Sequence, residues 1–435
     1  MGSEWREFCI GEIAEVIGGS TPSTTDPANF DGSIPWITPR DLANLQERYV
    51  SRGERNLSPK GLASCSAKLL PPGSVLLSSR APIGYVAIAK NPLATNQGCR
   101  SLVLRDGFDS GFIYYWLKCN TSLLEQHANG TTFKEISGSS LRRIRLCIPP
   151  LPEQRAIASI LGSLDDKIEL NRQLSHTLEQ MARALFKSWF VDFDPVRAKM
   201  EGRWKKGQSL PGLPAHLWNL FPDRLVPSEL GEIPEGWEVA RLGQIADTLR
   251  RAIHPDNIPQ DTPYIGLEHM PRKSIALSDW GTAGQTDSSK LQFKAGEILF
   301  GKLRPYFHKV GIAPVNGICS TDIVVIAPKE QVWLSLVLLH LSSDPFISYC
   351  TSHSFGTKMP RTSWNDMARY RVVLPPQALA EILTSTVQRA VERLISTVHE
   401  SRTLAAIRDA LLPRLISGEL RVKDAEEFIG KETSP

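Results

Sequence analysis

Cysteine is scarce in this sequence of 435 residues, and its few copies are scattered. All seven stand singly, without a C-x-x-C pair, which argues against a zinc site and a disulfide framework. We expect them to be small buried side chains in a reducing cytoplasm. The strongest apolar run, residues 332–341, is far shorter than the about 20 residues that span a bilayer, and residues 1–7 lack the pattern of a signal peptide. The sequence therefore predicts a soluble, cytoplasmic protein with no membrane partner.

Strong charge of either sign is also absent. The formal net charge is +4 and the pI is near 8.6, which permits nucleic-acid binding without requiring it. An ordinary soluble protein fits this charge equally well. Composition therefore leaves the function open, while the length predicts two or three domains.

Catalytic signatures are missing as well. Residues 296–302 match G-x-x-x-x-G-K, but Leu303 stands where a nucleotide-binding loop needs Ser or Thr, and Pro305 disfavours the helix that should follow. Asp192 and Asp194 have no accompanying lysine or third ligand, so a role at a helix end or an interface is favoured over a metal site. The motifs of zincins, serine hydrolases and dinucleotide-binding folds are absent. We expect a non-catalytic chain without a metal site.

The sequence contains an internal duplication. Five segments recur in unchanged order, and small insertions and deletions account for the drift in their spacing. The recurring pairs are residues 5–14 with 237–246, 35–37 with 263–265, 72–76 with 295–299, 130–131 with 356–357, and 143–150 with 369–376. The conserved order predicts a true duplication.

Each copy begins with a module that is rich in Gly, Pro and short β-prone runs. These runs are residues 74–78, 85–89, 298–300 and 323–326, whereas residues 112–120 and 332–341 have the character of helices. The module is therefore predicted to be mainly β with some helix.

Each copy ends with a long amphipathic helix. Residues 149–152 carry three prolines, which stop the preceding strand, and Glu153 opens the first helix. Apolar residues then recur at spacings of three and four, a stripe that includes Met181. Residues 375–381 lack the Pro-x-Glu-Gln step, so the second helix is predicted to begin within one turn of the equivalent position.

Two helices of roughly 38 residues would each be about 57 Å long. We expect them to pair antiparallel and to hold the modules apart, although packing of each helix on its own module is the alternative. Asn171 and Thr397 interrupt the stripes at matching places and can fix the register, unless Asn171 is simply exposed. The predicted seam consists of Ile157, Leu161, Leu164, Ile168, Asn171, Leu178, Leu185, Trp189, Leu383, Val387, Leu394, Thr397, Leu404 and Leu411.

These features together resemble the specificity subunits of Type I restriction-modification systems. The resemblance rests on the repeated opening at residues 5–14, the PPLPEQ step at 149–154, the helix end at 184–195, the junction at 231–237 and the ending at 411–420. It covers essentially the whole chain.

The resemblance implies an α+β architecture with internal pseudo-two-fold symmetry. Two tandem mixed α/β target-recognition domains would be joined by two long helices that pack as an antiparallel coiled coil. On this basis we expect a first recognition domain at residues 1–150, a central helix at 151–194, a connector at 195–235, a second recognition domain at 236–376, a C-terminal helix at 377–420 and a tail at 421–435. The basic run within the connector is predicted to be a solvated face, with DNA or partner contact as the alternative.

The resemblance also implies a function. Each recognition domain would read one half of a bipartite, asymmetric site in double-stranded DNA, with the half-sites about one helical turn, 34–36 Å, apart. The helices would set the spacer and dock two modification subunits, which bind S-adenosylmethionine and methylate adenine. Two restriction subunits that use ATP and Mg²⁺ can complete such an assembly, whereas this chain would bind no cofactor itself. A duplicated scaffold that binds only proteins is the alternative, since the net charge is modest.

Side chains that contact DNA are expected on polar loops bounded by Gly or Pro, because such loops bring donors and acceptors to base edges and phosphates. The loops after Gly130 and Gly356 form the strongest pair, and each also holds an apolar residue (Phe133, Met359) that could wedge or pack. The candidates are Thr38, Arg40, Ser79, Arg80, Asn96, Gln97, Thr131, Thr132, Lys134, Glu268, Lys302, Arg304, Thr357, Lys358 and Arg361.

Overall fold

The computed structural model describes residues 5–80, 82–130, 134–284, 288–356 and 358–425. The chain divides into two compact units. The first unit combines Met1–Leu170 with Thr403–Pro435, and the second is Asn171–Arg402. Each unit therefore contains one recognition module together with part of each long helix.

The first unit is built around a five-stranded sheet. Its strands lie in the order Ala14–Gly18, Cys99–Leu104, Val75–Ser79, Ile83–Ala89 and Tyr49–Val50. A second sheet consists of Arg55–Leu57, Phe30–Ile37 and Ala94–Thr95, and Arg6–Cys9 pairs antiparallel with Arg145–Ile148. The short helices are Ile10–Ile13, Pro39–Asn44, Pro59–Ala63, Ser110–Cys119, Thr121–Gln126 and Gly138–Arg142. Residues 112–117 are all buried, so the helix predicted there runs through the core.

The second unit repeats this plan. A four-stranded sheet has the order Ala246–Thr248, Ile323–Pro328, Ile298–Gly301 and Val310–Ile312. A five-stranded sheet has the order Ala252–Ile253, Lys290–Phe293, Gly317–Cys319, Pro263–Ile265 and Gly281–Thr282. Glu238–Arg241 pairs antiparallel with Arg371–Leu374 and closes the module as the first and last strands do in the other copy. The helices of this module are Leu242–Ile245, Leu334–Leu341, Asp344–Ser352 and Trp364–Met367.

The predicted α+β class is confirmed, and the opening strand, helix and strand and the closing helices and strand recur in the same order in both modules. The four β-prone runs all fall in strands, and the two predicted helices are present. The expectation that every cysteine is buried is wrong at Cys9, Cys65 and Cys119, which are half-buried, and at Cys147, which is exposed. At Cys147 the reason is the strand alternation at residues 145–148, which turns Leu146 and Ile148 inward and Cys147 outward.

The long helices are Leu151–Phe186 and Gln377–Ile416. Both begin directly after a Pro-Pro pair, so the two starts are equivalent despite the altered motif in the second copy. Gln154 has a structural role in the PPLPEQ step at the start of the first helix. Its buried amide donates to the Pro149 carbonyl at 2.9 Å and accepts from the Asp109 N–H at 2.8 Å. The second copy has Ala380 at this position, which is fully buried and makes the start apolar instead.

The two helices pair antiparallel within each unit. In the first unit Asp165 contacts Arg408 at 2.7 Å. In the second, Asn171 donates to Glu400 at 2.9 Å and the hydroxyls of Ser175 and Thr397 are 2.8 Å apart. Rising numbers on one helix thus meet falling numbers on the other, as the sequence predicted.

Most of the predicted seam residues are enclosed in these pairs. Asn171 is 2% exposed, which excludes the exposed-Asn alternative. Ile168, Leu178 and Leu185 are half-buried, and Ile168 and Leu185 lie at the edges of hydrophobic clusters. The seam residues that are buried outright are Ile157, Leu161, Leu164, Asn171, Trp189, Leu383, Val387, Leu394, Thr397, Leu404 and Leu411. Met181 contradicts the predicted stripe, since it is 63% exposed; the positions that face inward here are Asn171, Ser175, Glu179 and Ala182.

The connector is ordered and packs within the second unit. It contains the helix Asp194–Met200 and a hairpin of Leu225–Ser228 with Gly231–Pro234. Trp204 is fully buried, and its ring lies 5.1 Å from the ring of Trp218. One lysine of the basic run is structural, because the Lys199 ammonium lies 4.1 Å from the Trp218 ring. Among the described helices, none is long and apolar enough to cross a bilayer.

Candidate nucleic-acid interface

A short hairpin in the second unit forms the centre of the candidate site. Phe355 and Arg361 exchange backbone hydrogen bonds, each 2.9 Å from N to O. Gly356 turns the chain with a φ of 97°, a conformation that glycine adopts readily. The hairpin therefore has a defined base, and the side chains of Phe355 at this base and Met359 in the loop reach solvent.

The hairpin is attached to the segment that follows strand Ile298–Gly301. The Arg304 N–H donates to the Pro360 carbonyl at 2.7 Å, and the Thr362 N–H donates to the Lys302 carbonyl at 3.1 Å. This attachment gathers candidates that lie more than 50 residues apart in the sequence: Lys302, Arg304, Lys358 and Arg361.

Two of these cations are held in place by the fold. The Arg361 Nε donates to Asp322 at 3.1 Å. Arg304 has a left-handed backbone with a φ of 51°, its Nη2 lies 3.4 Å from the Lys358 carbonyl, and its Nε is enclosed without a hydrogen-bond partner. Holding a non-glycine residue in this conformation costs on the order of 1 kcal/mol, so the surrounding contacts fix its orientation.

The first unit repeats the base of this hairpin. Asn129 and Glu135 exchange backbone hydrogen bonds of 3.0 and 2.9 Å. The Ile136 N–H donates to the Ser79 carbonyl at 3.0 Å, and the Ser79 N–H donates to the Gly98 carbonyl at 2.8 Å. These bonds correspond to those of Thr362 and Lys302, so Asn129 is the structural equivalent of Phe355, and Glu135 of Arg361.

The charges that anchor the two hairpins are reversed. In the first unit Glu135 accepts from Arg100 at 2.9 Å and lies 3.9 Å from Arg80. In the second unit the hairpin supplies the cation, Arg361, and the turn before strand Ile323–Pro328 supplies the acid, Asp322. The same backbone therefore presents different side chains in the two modules.

Other candidates near the first hairpin have partners within the protein. The Thr38 hydroxyl donates to Asp41 at 2.6 Å and caps the helix Pro39–Asn44. Arg40 is exposed and lies 3.5 Å from Glu54. Arg40 is therefore able to meet DNA, whereas Thr38 has a structural role.

The loop at residues 96–98 carries one side chain that bonds within the loop and one that is exposed. Asn96 accepts from the Gly98 N–H at 2.9 Å, while Gln97 is exposed and accepts from the Thr21 hydroxyl. The candidate Ser79 is fully buried, and its hydroxyl donates to the Gly98 carbonyl at 3.0 Å. As it lies, Ser79 cannot meet a base, because its strand is buried on both faces.

The remaining candidates are dispersed. Lys134 is exposed on the first hairpin, directly before Glu135, and Glu268 is exposed next to His269. Thr131, Thr132 and Thr357, together with Phe133, lie outside the described residues.

Burial is the chief cause of the pKa shifts of three titratable groups in the second module. Burial lowers the pKa of Lys309, whose ammonium donates to the Leu267 carbonyl. Burial also lowers the pKa of His308, whose Nε2 lies 2.9 Å from the Ser342 carbonyl. Burial, followed by the charge of Glu268, raises the pKa of Tyr264. Packing thus accounts for these shifts without a catalytic role.

The segments that nearly match catalytic motifs adopt structures that differ from those motifs. Residues 298–301 of the G-x-x-x-x-G-K match form a strand paired on both sides, so its backbone N–H groups are not arranged around a phosphate. Asp192 pairs with Lys187, and Asp194 is the first residue of a helix. Within the described ranges, no group of three or more His, Cys, Asp or Glu side chains is placed to hold a metal ion.

Sequence reasoning overlooked several exposed or cationic residues around the hairpins. Phe355 is 72% exposed and Tyr306 is 49% exposed. Arg272 lies 4.2 Å from the Phe307 ring, and Arg100 anchors Glu135. Alignment of the two copies would have drawn attention to Phe355, because an aromatic residue there replaces Asn129 immediately before the shared glycine.

A duplicated α+β chain, with an exposed cation-bearing hairpin at the same place in each module, has the features of a bipartite nucleic-acid-binding protein. The sequence matches the family model described as Type I restriction modification DNA specificity domain over residues 2–180 and 234–395. The chain belongs to this family.

Individual relatives agree over nearly the full length. A protein of Methanocaldococcus jannaschii named Type I restriction enzyme MjaIX specificity subunit is 35% identical, over 97% of this chain and 94% of the relative. The HindI specificity subunit of Haemophilus influenzae is 26% identical, over 96% of this chain and 100% of the relative. The crystal structure of a Type I system S subunit from M. genitalium covers 95% of this chain and 96% of its own, with a TM-score of 0.57 and 15% identity, and so supports the fold.

Proposed function

We propose that this chain is the DNA sequence-specificity subunit of a Type I restriction-modification enzyme, and that each module reads one half of a bipartite, asymmetric site in double-stranded DNA. The observation that carries the proposal is the hairpin repeated at equivalent places with different side chains, Asn129–Glu135 and Phe355–Arg361. Because the hairpins differ, the half-sites differ. The alternative of a protein-only scaffold is not favoured, since the relatives carry the name of specificity subunits.

Direct contact with DNA is assigned to the hairpin cations. Lys358 is exposed at the hairpin, while Arg361 is half-exposed and oriented by Asp322. A bidentate arginine or a lysine can read guanine, and either can bind phosphate instead. We expect Lys358→Ala to weaken binding of all sequences and to reduce its salt dependence if it contacts phosphate. Arg361→Ala should relax one base of the recognised site, at a cost of about 1–3 kcal/mol, if it contacts a base.

The helical regions are the proposed docking surfaces for two modification subunits. In the second unit an open groove of about 1540 Å³ lies between the first long helix, the second long helix and the loop at residues 209–217. Its lining includes Leu178, Met181, Leu185 and Ile382, and the exposure of Met181 leaves apolar surface for a partner. Met181→Glu should therefore weaken assembly with the modification subunit and leave the hairpins intact.

The chemistry is assigned to the partners. We propose that the modification subunits bind S-adenosylmethionine and methylate adenine, that two restriction subunits with ATP and Mg²⁺ can join, and that this chain binds no cofactor and acts in the cytoplasm. The test is sequencing of methylated adenines in DNA from a host that expresses the modification subunit with and without this chain. Methylation of a split, asymmetric motif only when the chain is present would support the proposal. Absence of such methylation, with both proteins detected, would contradict it.

A further inference from the structure

We propose that Phe355 is a wedge that inserts between neighbouring base pairs of the half-site read by the second unit. The first unit, with Asn129 at the equivalent position, reads its half-site without a wedge. This inference rests on the proposed DNA-reading function of the hairpins. It adds a second mode of recognition, because a wedge selects base steps that unstack easily as well as bases that accept hydrogen bonds.

The exposure of Phe355 is the first argument. Its side chain is 72% exposed, more than any other large apolar residue that the structure describes. Met359, at the same hairpin, is 48% exposed. Covering an aromatic ring that is exposed to water lowers the free energy, so this part of the hairpin is suited to a bound state.

The backbone that carries the ring is held in a defined position. Paired hydrogen bonds of 2.9 Å to Arg361 fix Phe355 on both its N–H and its carbonyl. Gly356 then turns with a φ of 97°, and a Cβ placed on it would lie 3.3 Å from the Met359 carbonyl oxygen, so the turn is closely packed. Because the backbone at Phe355 is already ordered, binding of the ring costs less conformational entropy than it would on a loose loop.

Cationic residues on the same hairpin and beneath it favour duplex DNA over an apolar protein surface, although one of them, Arg361, is paired with Asp322. Lys358 lies at the tip, Arg361 at the base, and Arg304 beneath the loop with its Nη2 3.4 Å from the Lys358 carbonyl. Duplex DNA supplies one negative charge per about 1.7 Å of its axis to meet these cations. An apolar wedge surrounded by cations is also how architectural proteins unstack and kink a duplex.

The first unit provides an internal comparison. Asn129 has the same backbone pairing as Phe355, with hydrogen bonds of 3.0 and 2.9 Å to Glu135. Its short polar side chain can donate to or accept from a base edge but has no ring to stack. The distortion of DNA should therefore be confined to one half-site.

The test uses the full chain assembled with its modification subunits and a target duplex carrying 2-aminopurine, a base whose fluorescence rises when it unstacks. The probe is placed at successive steps of each half-site, and the methylated adenine is left natural because methyltransferases turn their target base out of the stack. We expect a rise only in the half-site of the second unit. Phe355→Ala should abolish the rise and weaken target binding about tenfold, the order expected for one lost stacking contact.

Leu230→Ala is the matched control, since Leu230 is a 45% exposed apolar residue in the connector of the same unit. It should leave both the fluorescence and the affinity unchanged. The exchange of Asn129→Phe with Phe355→Asn should move the rise to the other half-site, and unaltered melting temperatures would establish that each variant is folded.

Two results would overturn the wedge. An unchanged fluorescence rise and affinity in Phe355→Ala would show that the ring does not enter the stack. Loss of assembly with the modification subunits when DNA is absent would make Phe355 a protein contact. In either case target binding that still depends on Lys358 and Arg361 leaves the proposed function standing, whereas failure of the unaltered complex to bind its target would contradict that function itself.

Discussion

The buried carboxylate of Glu179 provides a sharp test of how the second unit is held together. Glu179 lies on the first long helix and is 2% exposed. One of its oxygens accepts from Arg183 Nε at 3.0 Å and Nη2 at 2.8 Å, and the other accepts from the Ser274 hydroxyl at 2.9 Å and the Ile275 N–H at 3.1 Å. The helix and the recognition module are therefore joined through one side chain.

Removing this carboxylate should be costly. Glu179→Ala leaves the partly buried Arg183 charge and the Ile275 N–H without their acceptor, and breaking a buried ion pair in this way costs about 3–5 kcal/mol. Glu179→Gln keeps the size but replaces one acceptor by a donor, so we expect a loss on the order of 2 kcal/mol. Lys187→Ala removes only the exposed contact with Asp192 and should cost less than about 1 kcal/mol.

The assay is urea unfolding of the full chain, followed by hydrogen exchange of amides in the second unit. Glu179→Ala should lower the unfolding free energy of this unit far more than Lys187→Ala does. Equal losses in the two variants would refute the argument that the buried carboxylate organises the unit. A double-mutant cycle with Arg183→Ala would separate the ion pair from the bonds to Ser274 and Ile275.

Two further predictions concern the interior of the second unit. Burial lowers the pKa of His340 to about 4, below an unfolded value of about 6.5, so the unfolded state gains its proton first as the pH falls. The stabilisation is complete above about pH 6.5 and should fall by about 3 kcal/mol by pH 4; unfolding free energies measured across this range should depend less on pH in His340→Phe, and parallel curves would contradict the assignment. The Ser175 and Thr397 hydroxyls are 2.8 Å apart in the helix seam, and the Thr397 hydroxyl also donates to the Leu394 carbonyl at 2.7 Å. Thr397→Val should therefore cost about 1–3 kcal/mol by removing the partner of the buried Ser175 hydroxyl, whereas Ser175→Ala should cost less because Thr397 keeps its bond to Leu394. The double variant should recover part of that loss in thermal unfolding, and strictly additive losses would argue against coupling.

Regular elements were predictable because their patterns are local. The helix at residues 110–119 and the strands at residues 75–79 and 298–301 follow from apolar runs between turn residues. The antiparallel helix pair followed from two long stripes of similar length. Asn171 and Thr397 were correctly placed in the seam, but they do not face each other, because antiparallel pairing sets Asn171 against Glu400 and Thr397 against Ser175.

The candidate site was less predictable because tertiary contacts assemble it. Lys302 and Arg304 join Lys358 and Arg361 only through backbone bonds between loops that are distant in sequence. Serine is a residue type that often contacts DNA, yet the strand that contains Ser79 is buried on both faces. Glutamate is a residue type that usually faces solvent, and the sequence around Glu179 does not indicate that Ser274 and Ile275 enclose its side chain.

The reversed charges under the two hairpins limit how recognition can change. Glu135 requires the cations Arg80 and Arg100 beneath it, and Arg361 requires the acid Asp322. Moving the second hairpin alone into the first module would set Arg361 against Arg80 and Arg100, where like charges repel and the hairpin would lose its anchor. The hairpin and the strand end beneath it can therefore be exchanged only as a pair. Diversification of DNA specificity on this fold has to replace them together, while the backbone bonds that attach the hairpin remain the same in both modules.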